Sequence, residues 1–403
     1  MKKIILLSAL TSSMLLATNG DLMMGHGAKA TAMGGVGIAV SHGAESAYAN
    51  PAMIKDVKSS EFDASVTMFM PDVNFKSSFG QPSPAFEQSD ADRSFIPEMS
   101  YVHRNNDHVV WGVALGGTAG MGVDYKGKGR SGANNMKTEL QILKLGVPVA
   151  YTANNLTIAV EPVLQYSSLQ MNYTYQDGGG VFHDSDNPRS SSTGLGVNFG
   201  AAYEVGDLTI GALYQSKIEA EYDHNIGTAM GNFGVGSVNS GDRLDQPAEM
   251  GVGVAYKIGN STLGLDVKKV KWSRAKGYED FGWDDQNIIA LGYQYQAPTW
   301  ALRAGYNHAK SPISELDGNT GDGAKINFFN LAGFPAMVET HYTLGGEYSV
   351  SNNLALTLAA VYTPEESNKY NISGMNPAAP ANSLDAEVKH SQQALTVGAS
   401  YKF

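Results

Sequence analysis

The chain has no cysteine among its 403 residues. That excludes a disulfide scaffold and a thiolate metal site. Charge is also sparse: Asp, Glu, Lys and Arg make up 17% of the residues, with a net charge of −11. A chain of this sign repels a phosphate backbone, so nucleic acid is not an expected partner. Beyond the N-terminus no stretch reaches the roughly eighteen consecutive apolar residues of a membrane-spanning helix. Catalytic signatures are missing too. No G-x-S-x-G serine elbow occurs. Gly25-x-Gly27-x-x-Ala30 loosely resembles a dinucleotide fingerprint, but no βαβ pattern surrounds it. Gly122 to Lys128 imitates a phosphate loop until Gly129 takes the place of the required Ser or Thr. The nine histidines are scattered without metal-ligand spacing. No catalytic residue, cofactor or metal site is therefore expected.

What the chain has in abundance is glycine (46) and tyrosine (20). Residues 1–17 read as a secretory leader: Lys2 and Lys3, an apolar run over 4–16, and a cut after Ala17. A short N-terminal anchor is the other reading. Loss of the two lysines would take the net charge from −11 to −13. Residues 18–60 are rich in Gly and Ala and lack strand periodicity. Small residues there suit close backbone packing in a confined space.

From residue 61 onward the apolar residues recur at every second position, the period of a β-strand. Fourteen segments follow, near 62–71, 94–104, 107–124, 138–152, 155–176, 193–205, 207–220, 245–258, 261–272, 285–297, 299–310, 340–350, 353–363 and 393–403. Met250, Val252, Val254 and Tyr256 form one apolar face. Leu354, Leu356, Leu358, Ala360 and Tyr362 form another, and Leu395, Val397, Ala399, Tyr401 and Phe403 a third. Tyrosines and Trp300 sit at the ends of such sets, as rings at two lipid–water interfaces would. The opposite faces carry Lys144, Glu161, Glu204, Glu249, Asp266, Lys268, Arg303 and Glu347. Connections alternate between tight turns, such as Asn105-Asn106 and Gly259-Asn260, and long loops near 72–93, 125–137, 177–192, 221–244, 273–284, 311–339 and 364–392. An outer-membrane barrel has this asymmetry of short periplasmic turns and long external loops. The expected fold is therefore all-β: a 14-stranded antiparallel transmembrane β-barrel over 61–403, with an N-terminal plug over 18–60.

The preface carries further signals. Asn19-Gly20, Gly25-x-Gly27, Ala32-Met33-Gly34-Gly35 and Asn50-Pro51-Ala52 together resemble the N-terminal hatch of the FadL/TodX family. The Pro71 to Phe75 stretch and the Phe334 to Gly345 stretch are similar to that family as well. The resemblance implies an outer-membrane transporter of long-chain fatty acids or aromatic hydrocarbons. It implies capture by external loops, gating by the hatch, and lateral exit through a kink in the third strand. A general porin for small polar solutes is the alternative.

Candidate residues follow. Met33, Gly34, Gly35, Asn50, Pro51 and Ala52 are the gating hatch, although Asn50-Pro51-Ala52 also reads as a turn into the first strand. Met23, Met24 and Met33 read equally as ligand lining or plug packing. Gly116, Gly117, Gly120 and Gly122, in a segment with five glycines over 112–122, mark the kink or ordinary barrel curvature. Phe328, Phe329, Leu331, Phe334 and Met337 make loop 311–339 apolar for an external loop, which suggests ligand binding or packing at the barrel mouth. Ile226, Met230, Phe233 and Val235 are a second such group. Arg303 reads as a carboxylate ligand or as an ion-pair partner of Glu347. Lys126, Lys128 and Arg130 read as a solvated loop, or as contacts for a fatty-acid carboxylate or lipopolysaccharide phosphates. The final strand ending in Phe403 resembles the signal read by the barrel-assembly machinery. The chain is expected as a monomer in outer-membrane lipid and lipopolysaccharide, carrying a hydrophobic small-molecule solute.

Overall fold

The computed structural model describes residues 18–80, 84–128, 132–177 and 179–403. The leader, residues 1–17, and Arg130 lie outside the described residues. Fourteen long strands form one antiparallel sheet: β1 (Ser60–Ser77), β2 (Ser94–Arg104), β3 (Val109–Asp124), β4 (Lys137–Gly146, continued by Val149–Ala153), β5 (Leu156–Gln176), β6 (Ser190–Val205) and β7 (Leu208–Gln215), then β8 (Glu249–Ile258), β9 (Ser261–Val270), β10 (Gln286–Gln296), β11 (Trp300–Ala309), β12 (Thr340–Ser349), β13 (Leu354–Asn371) and β14 (Asp385–Lys402). Each pairs with its sequence neighbour, and β14 pairs with β1 from Lys402↔Glu61 to Ala386↔Ser77. The sheet is thus closed into a barrel.

The alternation of the sequence becomes the two faces of the wall. Met250, Val252, Val254, Tyr256, Leu356, Leu358 and Tyr362 are exposed on the outside. Glu161, Glu249, Asp266 and Arg303 are buried on the inside. Aromatic rings mark both rims of the apolar belt. Tyr306, Tyr342 and Tyr362 share one rung at the loop end. Tyr295, Trp300 and Tyr348 sit at the turn end. Outward apolar surface of this extent is stable only in lipid.

Three strands run further than the apolar pattern indicates. β1 reaches Ser77, β13 reaches Asn371, and β14 begins at Asp385. After a register shift between Thr363 and Glu366, the β13–β14 ladder continues to Asn371↔Asp385. Much of the expected loop 364–392 is therefore hairpin. β7 ends at Gln215 and β8 starts at Glu249, both inside their expected limits. β4 is interrupted beside Pro148, which has no N–H for the ladder.

Residues 18–59 fill the lumen. They hold two short strand pieces (Thr18–Asn19 and Leu22–Met23), helix α1 (Gly27–Ala32), helix α2 (Ser46–Ala49) and two 3-10 turns, the second being Pro51–Asp56. Two external loops also fold inward as helices, α3 (Ile226–Phe233) and α4 (Gly321–Ala332).

Candidate functional site

Inward-facing polar groups of the wall hold the plug. Glu98 of β2 accepts from the Gly27 N–H at 2.9 Å and stands 2.9 Å from His26 Nδ1. Asp266 of β9 accepts from the Gly37 and Ile38 N–H groups at 2.8 and 2.9 Å. Thr343 of β12 accepts from Gly34 N at 2.9 Å and donates to Ala32 O at 3.0 Å. Asn307 of β11 donates to Gly34 O at 3.0 Å. These contacts satisfy backbone groups of an irregular, buried segment.

Lys29 is the plug's charged anchor. Its ammonium lies 3.1 Å from Asp63, 3.5 Å from Glu61 and 3.2 Å from His42 O. Burial alone would lower its pKa, but Asp63, Glu45 and Glu61 outweigh this and raise it. Glu45 accepts from the Ala28 and Lys29 N–H groups at 3.2 and 3.0 Å, at the start of α1. Burial pushes its carboxyl up to about 8, against the pull of Lys29. Burial likewise raises Asp21 to about 6, despite hydrogen bonds from Tyr278 and Gln246.

Each expected hatch residue makes a defined contact. Asn50 caps the Pro51–Asp56 turn by accepting from Ala52 N at 3.0 Å, and donates to Ile38 O at 2.7 Å. It reaches the wall at Ala201 O and Ala212 O, 3.3 and 3.4 Å away. Asn50-Pro51-Ala52 is thus both the turn toward β1 and a bridge from plug to wall. Gly34 and Gly35 have φ of +70° and +79°, and a Cβ on Gly35 would meet Met24 O at 2.0 Å. Met33 packs with Val36, Val40 and Ala290, and Met23 and Met24 pack with Phe69 and Val361.

The wall is broken between β2 and β3. Their pairing runs from Arg104↔Val110 to Glu98↔Gly116 and stops there. Beyond it β3 pairs only with β4, after a register shift between Gly117 and Ala119 that leaves Thr118 as the extra residue. In the break the plug substitutes for β2: Leu22 pairs with Ala119, and Gly120 N donates to Asp21 O at 2.9 Å. Tyr48 marks the last rungs, its hydroxyl 2.5 Å from Met99 O and 2.9 Å from Leu115 O. Above the break the 87–90 loop ties β1 to β3 through Ser89 N to Val73 O and Asp90 N to Asp124 O. Gly116 and Gly117 therefore flank the irregularity, Gly120 contacts the plug, and Gly122 abuts Thr138 O of β4.

The upper lumen is apolar. Phe328, Phe329, Leu331, Phe334 and Met337 are all buried in one cluster with Phe75, Leu140, Met171 and Tyr173 of the wall and with Tyr125 just past β3. Ile226, Met230 and Val235 join it, and Phe233 lies 4.7 Å from Phe329 between ring centroids. The cluster descends to Leu22 of the plug. A cavity of about 490 Å³ opens above it, lined by Phe79, Phe182, Phe233, Met375 and Lys325 among others. The lower lumen is polar: Lys144, Glu161, Glu249, Asp266 and Lys268 surround a cavity of about 60 Å³. Arg303 lies apart from the loop aromatics. It bonds Gln294 at 2.7 Å and Glu347 at 3.1 Å. Lys126 and Lys128 pair with Asp186 and Asp90. Among the described residues no metal-binding cluster occurs. Sequence reasoning missed Tyr48, Glu98 and Leu22, because only their partners in the folded barrel distinguish them.

A closed lipid-embedded barrel filled by its own N-terminus defines an outer-membrane transport barrel. The chain belongs to the family described as outer membrane protein transport protein (OMPP1/FadL/TodX), whose model matches residues 23–403. It is 23% identical over 329 residues to the long-chain fatty acid transport protein of Escherichia coli O6:H1 (strain CFT073), covering 68% of this chain and 73% of that protein. Its fold is shared with a Pseudomonas aeruginosa FadL homologue, with a TM-score of 0.72 and 16% identity over 96% of this chain and all of that one. The P. putida toluene transporter TodX gives 0.70 and 18%, over 94% of this chain and 99% of the other.

Proposed function

We propose that the chain carries hydrophobic compounds inward across the outer membrane. The observation that carries this reading is the apolar upper lumen, continuous from the loop helix to Leu22 of the plug. Barrels for polar solutes line their lumen with polar residues. In this reading the external cavity collects the solute, which then displaces Phe328 and Phe329 as it enters the cluster. The plug moves at its break-side end, where Asp21 and Leu22 hold β3 through one ladder contact and one hydrogen bond. The solute leaves sideways through the break between β2 and β3. Lateral release suits a poorly soluble compound, because it passes to lipid without crossing water.

Lys325 favours a second reading, uptake of fatty acids in particular. Its ammonium lines the external cavity and bonds Gly234 O at 2.8 Å, with no carboxylate partner among the described residues. The relatives named above include both fatty-acid and toluene transporters.

The test is uptake of labelled oleate and labelled toluene by cells lacking their own transporter. They carry the intact protein or a form with Thr118 deleted, which removes the extra residue and lets β3 pair in one register. Folding is checked by heat-modifiable gel mobility. Uptake of either solute, lost in the folded deletion form, is expected. Native-rate uptake by the deletion form would refute lateral exit. Leakage of small polar solutes with no uptake of either compound would establish a porin instead.

A further inference from the structure

Four adjacent strands place four polar side chains on one inward-facing row. Asn307 of β11 is paired with His341 of β12. His341 and Thr363 of β13 lie one rung beyond the Tyr342↔Tyr362 pair, and Thr363 is paired with Gln392 of β14. None of the four is more than 1% exposed. The row lies between the plug, which touches it at Gly34 and Thr18, and the apolar cluster above.

The hydrogen bonding of the row is incomplete in a specific way. His390 stands one step above, its Nδ1 2.7 Å from Pro335 O. A carbonyl only accepts, so Nδ1 carries the proton and Nε2 is the acceptor. Gln392 Nε2 donates to it at 3.2 Å, and Gln392 Oε1 accepts from Thr18 N at 3.2 Å. Gln392 is thereby fixed. The other three are not. Asn307 spends its amide N–H on Gly34 O and leaves Oδ1 without a partner. Thr363 Oγ1 and both ring nitrogens of His341 have none among the described residues. Gln392 stands near His341 without meeting hydrogen-bond geometry. Burying such groups unpaired is costly, and an apolar barrel interior could have used valine or leucine at 341 and 363.

We propose that this row is the floor of the solute path and binds a neutral hydroxyl carried on a hydrophobic body. The inference rests on the transport reading above and names its substrate class. The open groups are an amide oxygen that accepts, a hydroxyl that does either, and an imidazole that offers a donor and an acceptor. A solute hydroxyl needs one acceptor and one donor. The row contains no ammonium or guanidinium to select a carboxylate. Beside it a cavity of about 20 Å³ is lined by Thr18, Phe69, Met121, His390 and Gln392, and leads toward Gly120 and Gly122 of the broken strand. A head group held here would leave its hydrocarbon body in the apolar cluster and next to the break.

The probe pair is p-cresol and p-xylene, which differ by a hydroxyl against a methyl group. Binding to the purified full-length barrel is measured by tryptophan fluorescence, with each affinity referenced to the compound's own partition into the detergent micelle. Two hydrogen bonds in a buried site correspond to about tenfold. We expect p-cresol to be preferred by about that factor. The preference should collapse in His341→Leu and again in the near-isosteric Thr363→Val, whose folding is checked by heat-modifiable mobility. Equal binding of the two probes by the native protein overturns the inference and leaves the transport reading intact. So does a preference that survives both substitutions, or a cresol-soaked crystal in which the row holds ordered water only. Failure to bind either probe overturns both.

Discussion

Replacing Lys29 with methionine removes the cation that ties α1 to the first strand. The ammonium contacts Asp63 at 3.1 Å and Glu61 at 3.5 Å, and all three side chains are buried. Methionine fills most of the volume, so the loss is electrostatic. Two carboxyl groups are left without their counter-charge in a buried interface. Removing one partner of a buried ion pair costs about 3–5 kcal/mol. Here that cost falls on the seated plug, because the wall is held independently by its closed ladder. At about 1.4 kcal/mol per tenfold, the unseated population should rise by roughly two to three and a half powers of ten. The assay is single-channel conductance in planar bilayers. The native protein should be nearly closed, whereas K29M should show frequent open bursts. Lys29→Arg, which keeps the charge, should fall between them. A folded K29M barrel as closed as the native one would refute the claim that this pair seats the plug.

The plug's carboxyls give a pH dependence of definite sign. Glu45 is raised from 4.5 to about 8 and Asp21 from 3.8 to about 6, both by burial. Between the ordinary and raised values the seated plug binds more protons than the unseated one, so seating weakens as pH rises through about 4 to 8. Conductance should therefore grow from pH 5 to pH 8, and Glu45→Gln should flatten most of that slope. Asn50→Ala leaves Ile38 O and Ala52 N without their partner, costing about 1–3 kcal/mol of plug stability. It should raise conductance less than K29M does. Gly35→Val places a branched side chain at φ +79° against Met24 O, and its plug should become protease-sensitive in an intact barrel. Phe328→Ala opens a cavity in the loop cluster worth about 3–5 kcal/mol. It should release α4, detected as faster hydrogen exchange over 321–332 with the strands unchanged.

The wall was legible in the sequence because lipid imposes a demand at every second residue. Met250 to Tyr256 and Leu354 to Tyr362 could face hydrocarbon only if apolar, so the period of two is unbroken there. Above the bilayer the demand vanishes. Asn368 and Lys369 pair with Val388 and Glu387 as regularly as any lower rung, yet no apolar stripe announces it. The break in β3 was half legible. Its glycines pointed to the region, but Thr118 became the extra residue only through its register against β4. The plug's composition showed that it packs closely, whereas the groups that hold it lie far away in sequence. Glu98 is 71 residues from Gly27, and Thr343 is 309 from Gly34. Arg303 left two readings open in the sequence, a ligand contact and an ion pair with Glu347, and the folded barrel contains the pair.

The lumen divides into two chemistries for one physical reason. The lower half must hold an irregular backbone, and only polar wall groups such as Asp266, Thr343 and Asn307 can satisfy its N–H and C=O groups. The upper half holds helices, whose backbone is satisfied internally, so its wall can be apolar. The break in β3 lies where these halves meet, with Leu22 in the apolar cluster and Asp21 beside it in the polar network. Moving two plug residues at that boundary would expose hydrocarbon-compatible surface on one side and leave the anchored plug in place on the other. Lys29, Asp266 and Asn50 anchor the far end of the plug, whereas its contact with β3 is one ladder pair and one hydrogen bond. Hydrogen exchange should therefore be faster at Leu22 and Gly120 than at Gly37 and Ile38. Uniform protection across the plug would instead mean that it moves as one body.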